Sequence, residues 1–214
     1  MSDKETHNGD SKYNRQSDST DHCLAFKKAT FEGSFDSAAR LLPLNQFAFA
    51  GRSNVGKSSL INAILNRKIA YVSKNPGKTT MINAIRVYDT KRQFFLIDLP
   101  GYGYARRSKT MRNNWRKTIE DYLIQANLLK HVFVLIDARH SLMESDAMFL
   151  DWLKYFNRPY SVILTKTDLA RQSDISTLLK QLKPYINDNY FLTSSKKKKG
   201  ISKLCDFIRK LAFL

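Results

Sequence analysis

The sequence predicts an α/β fold: a mostly parallel six-stranded sheet with one antiparallel strand and helices on both faces. Three observations carry this. Gly51-Arg52-Ser53-Asn54-Val55-Gly56-Lys57-Ser58 fits the phosphate-cradling pattern G-x-x-x-x-G-K-[ST] between a short apolar stretch and a helical one. His131–Ile136 and Tyr160–Leu164 are continuous apolar runs, the mark of strands covered on both faces. Stretches with apolar residues at helical spacing follow each of them, so strands and helices alternate along the chain.

The chain has 214 residues, of which 43% are hydrophobic, enough for one sizeable domain. Lys and Arg number 36 against 19 Asp and Glu, a net charge of +17 that favours anionic partners. Apolar runs stay well short of the roughly 18 residues of a membrane span, and the first twenty residues lack the apolar segment of a secretion signal. The expectation is a cytoplasmic protein without stable membrane insertion. Cys23 and Cys205 form no C-x-x-C pattern and read as reduced thiols in apolar surroundings.

Residues 1–22 are rich in Ser, Asp, Lys, Asn and Thr and read as a disordered polar tail; 23–214 read as one domain. Leu24 to Leu42 suggest an edge strand and a short helix. Gln46–Ala50 is a strand entering the glycine loop, and Ser59–Asn66 a helix with Leu60, Ile61, Ile64 and Leu65 on one side. Loop glycines let successive backbone N–H groups face phosphate oxygens, and the following helix adds the positive end of its dipole. Lys57 is placed to reach the β and γ phosphates, and the Ser58 hydroxyl to coordinate Mg²⁺.

Lys74 to Thr80 is an exposed loop broken by Pro76-Gly77. Ile82–Tyr88 and Gln93–Ile97 read as a hairpin, and the second strand delivers Asp98-Leu99-Pro100-Gly101. There Asp98 can hold a metal through water, and the Gly101 N–H can bond a γ-phosphate and lose that bond on hydrolysis. A helix to about Ala126 buries Trp115, Ile119, Tyr122, Leu123 and Ala126, and its entrance carries Arg106, Arg107, Lys109, Arg112, Arg116 and Lys117. That basic run reads equally as a solvated face or a phosphate-backbone contact. Asp146–Phe156 is the next helix, and His140 before it reads as structural.

Tyr160–Leu164 runs into Thr165-Lys166-Thr167-Asp168. A carboxylate at Asp168 can accept paired hydrogen bonds from guanine N1–H and its exocyclic amine, a face adenine cannot present. The Lys166 stem can lie over the base. Ser173–Lys183 is a helix and Asn189–Leu192 the last strand, leading to Thr193-Ser194-Ser195, whose backbone N–H groups can bind the guanine carbonyl oxygen. Lys196 to Lys199 border this pocket as a solvated turn or a second phosphate-contacting patch. A closing helix carries Ile201, Leu204, Phe207, Ile208 and Leu211 at helical spacing.

With these boxes in order, residues 24–214 resemble the EngB (YihA/YsxC) family within the translation-factor-related small GTPases. The residues that carry the resemblance are Gly51 to Ser59, Pro76-Gly77-Lys78-Thr79, Asp98 to Tyr104, Asp137 with Arg139-His140, Thr165 to Asp168, and Thr193 to Ser195. The resemblance implies a P-loop GTPase that binds GTP/GDP and Mg²⁺, with Ser58 and Thr79 as direct metal ligands beside Asp98. The segments around Thr79 and after Asp98 would be its switches, and Lys57, Thr79 and Gly101 the groups nearest the chemistry. It also implies a protein acting on the large ribosomal subunit or its precursor, through rRNA and ribosomal proteins, and needed for normal cell division and septation; separately, a monomer is expected.

Two positions, Tyr102 and Thr165, depart from the commoner pattern. Tyr102 stands where many small GTPases place Gln to orient the attacking water, so intrinsic hydrolysis is expected to be slow. Asn54 stands where related GTPases lacking that Gln bind K⁺ at the phosphates, so K⁺ joins the expected cofactors. Thr165 stands where Asn is commoner, and a hydroxyl makes fewer hydrogen bonds, so modest nucleotide affinity is expected. The rival readings are an ATPase on the same fold and a basic RNA-binding scaffold in which nucleotide is mainly structural.

Overall fold

The computed structural model describes residues 26, 28–37, 40–70, 81–89, 92–102, 109–186 and 190–213. Strands are β1 (Lys28–Phe35), β2 (Gln46–Gly51), β3 (Ile82–Asp89), β4 (Arg92–Asp98), β5 (Leu129–Asp137), β6 (Tyr160–Thr165) and β7 (Tyr190–Leu192). Helices are α1 (Lys57–Leu65), α2 (Lys109–Gln125), α3 (Glu144–Tyr155), α4 (Gln172–Leu182) and α5 (Ile201–Ala212).

The seven strands form one sheet in the order β1-β3-β4-β2-β5-β6-β7. Six strands were expected; the seventh is the edge strand β1, which joins the sheet by pairing antiparallel to β3. β3 is also antiparallel to β4, while β4, β2, β5, β6 and β7 run parallel. One strand therefore opposes the rest, as the hairpin at Asp89 and Arg92 requires. The short helix expected after β1 falls partly outside the described residues.

Central strands bury both faces. Phe47 and Phe49 of β2 point to one side and Ala48 and Ala50 to the other, with no exposure at any of the four, so the sheet separates two cores. On the Phe47 side lie α1 and α5; on the Ala48 side lie α2, α3 and α4. Cys205 is buried in the first of these cores, its thiol directed at the Ile64 carbonyl 3.9 Å away. Parallel strands end their carboxyl edges together, and a crevice outside that edge is where such sheets bind ligands.

His131 shows how firmly the interior excludes charge. It is buried in β5, shares a 2.9 Å hydrogen bond with Ser161, and burial pushes its pKa down to about 4. Among the described residues no helix is long and apolar enough to cross a membrane.

Candidate functional site

The phosphate loop leaves β2 at Gly51 and enters α1 at Lys57. Gly51 has to be glycine: an added Cβ would lie 2.8 Å from the Leu135 carbonyl oxygen and 2.9 Å from Val55. Asn54 (φ 65) and Gly56 (φ 107) are left-handed, the second as the N-cap of α1. These two reversals fold the loop over the start of the helix, so free N–H groups of its first turn converge on one point.

Loop and Asp98 box are built as one piece. Tyr102 N–H donates to the Gly51 carbonyl at 3.2 Å, and Ser53 N–H donates to the Tyr102 carbonyl at 3.0 Å, extending the sheet past the strand ends. Gly101 sits against the loop backbone, where a Cβ would meet Ser53 N at 2.9 Å. The Ser53 amide, expected among the nucleotide contacts, is thus already engaged.

Asp98 ends β4 almost fully buried. Its Oδ2 accepts from the Ser58 hydroxyl at 3.3 Å, and its Oδ1 lies 3.6 Å from the Lys57 ammonium without a hydrogen bond. Burial raises its pKa, against the opposing pull of Lys57 and Ser58. A buried oxygen left without a donor beside a hydroxyl ligand and a lysine suits a hydrated divalent cation. Among the described residues no group of three or more His, Cys, Asp or Glu could hold a metal ion. Gly77, Lys78 and Thr79 lie outside the described residues.

Tyr102 does not face the phosphate loop's open side. Its ring is buried and packs on Phe149 of α3, centroids 5.1 Å apart, and its hydroxyl lies on the side of the buried Asp146, close enough for each to influence the other's ionisation. Burial, helped by Asp146, raises the phenol's pKa well above normal. Asp146 is a residue that sequence reasoning missed. The signal was available: Asp146, Leu150 and Leu153 recur at helical spacing, and all three are buried on one face of α3.

The base end is laced to the same loop. The Thr165 hydroxyl donates to the Val55 carbonyl at 2.7 Å and lies 3.3 Å from the Ile136 carbonyl. Lys166, with φ 57, donates to the Asn54 carbonyl at 2.7 Å and to Asp137 at 2.9 Å, so its stem crosses the loop near Gly56. Burial works against the Asp137 charge, but bonds from Arg139 and Lys166 hold its pKa far below the usual carboxylate range. Thr167 N–H and hydroxyl both donate to the Thr193 carbonyl, at 3.2 and 3.0 Å, tying the two base boxes together.

Asp168 is exposed, not sunk in the fold as a paired acceptor would be after a base covers it. The Ser194 hydroxyl, with Lys196 and Lys197 nearby, holds its pKa below the usual value. Beside it opens a cavity of about 660 Å³, walled by Asn62, Thr165, Lys166, Asp168, Leu169 and Ser195. The expected phosphate and base boxes therefore meet at one edge of the sheet.

A family profile described as a 50S ribosome-binding GTPase matches residues 46–166 of this chain. A probable GTP-binding protein EngB of Thermotoga maritima is 44% identical over 170 residues, covering 78% of this chain and 86% of the relative. The chain belongs to the EngB family. A relative of the same description from Aquifex aeolicus is 38% identical over 179 residues, covering 83% and 96%. Members of this family bind GTP, and this chain is a P-loop GTPase that converts GTP to GDP and phosphate. A crystal structure of a probable GTP-binding protein engB superposes with a TM-score of 0.60 at 24% identity, covering 78% of this chain and 98% of that one. Era in complex with MgGDPNP and nucleotides 1506–1542 of 16S ribosomal RNA gives 0.62 at 21% identity, covering 80% and 57%. At such identities the two structures speak to the fold.

Proposed function

We propose that the protein is a Mg²⁺-dependent GTP/GDP switch of the cytoplasm that acts, as a monomer, in assembly of the large ribosomal subunit, and through it in normal cell division and septation. The observation that carries the switch is the double hydrogen bond between Gly51, Ser53 and Tyr102. It makes the phosphate loop and the Asp98 box respond together, so a γ-phosphate bonded to the Gly101 N–H would be felt on both. The family description and the net charge of +17 support the ribosomal partner, since neutralising RNA phosphates yields affinity.

In this reading Lys57 and the loop amides from Asn54 to Ser59 hold the phosphates. Ser58, Thr79 and Asp98 hold the metal, which when bound offsets phosphate charge. Asp168 selects guanine, Thr193 to Ser195 take its carbonyl oxygen, and residues 23–214 act as one G domain behind a polar tail. Arg52 and Leu99-Pro100 shape the loop and the box. Hydrolysis is slow because the side chain after Gly101 packs into α3 rather than toward water. A K⁺ ion at Asn54 would then supply charge that the chain lacks. Faster turnover in K⁺ than in Na⁺ is expected; equal rates, with and without ribosomal particles, remove the K⁺ role.

Sedimentation with ribosomal subunits in GDP, in a non-hydrolysable GTP analogue and without nucleotide tests the switch. Preferential binding of the analogue form to the large subunit is expected. Equal binding in all three states would instead make the protein a scaffold, because a switch needs different affinities in its states.

A further inference from the structure

Four consecutive lysines, Lys196 to Lys199, stand on the lip of the base cavity, and their backbone is bonded to Ser194 of the adjoining box. Their turn is stiff. Ser194 and Lys199 exchange both backbone hydrogen bonds, at 3.0 and 3.1 Å, and the Ser194 hydroxyl accepts from the Lys197 N–H at 3.0 Å. Lys198 is held left-handed at φ 54, a conformation that lysine disfavours. Gly200 closes the turn at φ 72, where a Cβ would lie 2.1 Å from the Leu192 carbonyl oxygen. All four side chains are exposed.

Across the cavity mouth stand Arg67 and Lys68, exposed after the end of α1, and Lys198 reaches that lip by a 3.5 Å contact with Asn66. Cations thus flank the mouth on both sides. Among the described ion pairs, Lys68 and the four turn lysines have no carboxylate partner within salt-bridge distance.

We propose that this rim is a contact surface for an RNA sugar-phosphate backbone, and that RNA laid on it slows release of the guanine nucleotide. The inference rests on the ribosomal reading above and adds the surface and its effect. Phosphates repeat along one strand, and a fixed row of cations matches them without reading sequence. The turn from Lys196 to Gly200 carries no apolar side chain, so nothing on it would insert into a bilayer. The coupling has a source in the position of the rim: the lysine turn and Arg67 with Lys68 stand on opposite sides of the mouth of the base cavity, so a strand laid across them covers the path by which the nucleotide leaves.

The test measures release of fluorescently labelled GDP from the full-length protein, with and without large ribosomal subunits, over a range of salt. Three proteins are compared: the unaltered chain, Lys197→Gln/Lys199→Gln, and Lys197→Arg/Lys199→Arg. Neither residue lines the base cavity, so GDP affinity without subunits should match in all three, which also verifies folding. Subunits are expected to slow release at least threefold for the unaltered and Arg proteins, and markedly less for the Gln protein. The slope of log affinity against log salt should fall by about 1.5 in the Gln protein, close to two lost phosphate contacts. Subunit binding with the same salt slope in all three, or unchanged release, overturns the rim while sparing the ribosomal reading. No subunit binding by the unaltered protein overturns the ribosomal reading and the rim with it. Binding to phosphatidylglycerol vesicles in place of subunits makes the rim a lipid contact and overturns the RNA assignment.

Discussion

The two ends of the nucleotide cleft each centre on one aspartate, and the fold holds the two in opposite states. Asp98, at the phosphate end, is buried between Lys57 and Ser58, and burial raises its pKa. Asp168, at the base end, is exposed, and the Ser194 hydroxyl and neighbouring lysines lower its pKa. The phosphate end is assembled from strand ends and backbone bonds, so its geometry is set before a ligand arrives. The base end is a solvent-facing cavity whose selectivity depends on being covered. Preorganisation suits the end that handles charge transfer, where shifted donors are costly. Openness suits the end that must admit and release the ligand.

Removing one end's aspartate should break the comparison most sharply at the base. Asp168→Asn replaces an acceptor by a group that donates toward guanine N1–H, losing two charge-assisted hydrogen bonds. GTP affinity by calorimetry is expected to fall on the order of 100-fold or more, with xanthosine triphosphate now preferred because its carbonyl accepts from the new amide. Retained GTP preference would mean that Asp168 does not meet the base.

A smaller effect should follow Gly101→Ala. The new methyl meets the Ser53 backbone rather than a movable side chain, so the loop and the Asp98 box must part. A loss of about 1–3 kcal/mol in denaturant unfolding is expected, together with a narrowed difference between GTP and GDP affinity. Lys197→Gln, at the open end, should leave stability within about 0.5 kcal/mol.

Asp98→Asn should separate stability from function. The amide relieves a desolvated charge, so the nucleotide-free protein is expected to gain about 1 kcal/mol, as replacements of strained functional groups do. Mg²⁺ should lose its effect on nucleotide affinity in the same variant. An unstable variant with intact Mg²⁺ dependence would reverse the assignment.

The least effect lies in pH dependence, where the signs are opposite. Asp98 has a folded pKa above 3.8, so it binds its proton more tightly in the native state; its contribution is present at low pH and lost as pH rises through the folded value. Asp168 has a folded pKa below 3.8, so its contribution is present above 3.8 and lost as pH falls through the folded value. Comparing unfolding of each Asn variant with the unaltered chain from neutral to acid pH should show slopes of opposite sign. His131 supplies a common background: with a folded pKa of about 4 against 6.5, it costs stability as pH falls across that interval.

Much of this was legible in the chain. The Gly51 to Ser58 loop, Asp98 and Asp168 follow strands whose apolar runs are local signals, and each box has a spacing that chemistry fixes. The edge strand β1 was harder to count into the sheet, because its burial alternates weakly and its pairing depends on β3, 50 or so residues on. Tyr102 was read as a missing amide, and its actual place required the packing of Phe149 and the acid at Asp146.

Sequence by itself determined the order of the boxes, the glycine requirement at the phosphate loop, the place of the carboxylate at Asp168 and the strong positive charge, because these rest on residue identity and short-range spacing. Tertiary structure decided which aspartate is buried and which is exposed, and that the loop and the Asp98 box share hydrogen bonds. It also turned Tyr102 inward and set two groups of cations, distant in sequence, around one cavity. The physical reason is that desolvation and mutual distance belong to the packed chain: a carboxylate acquires its charge state from what surrounds it, and those neighbours come from other strands.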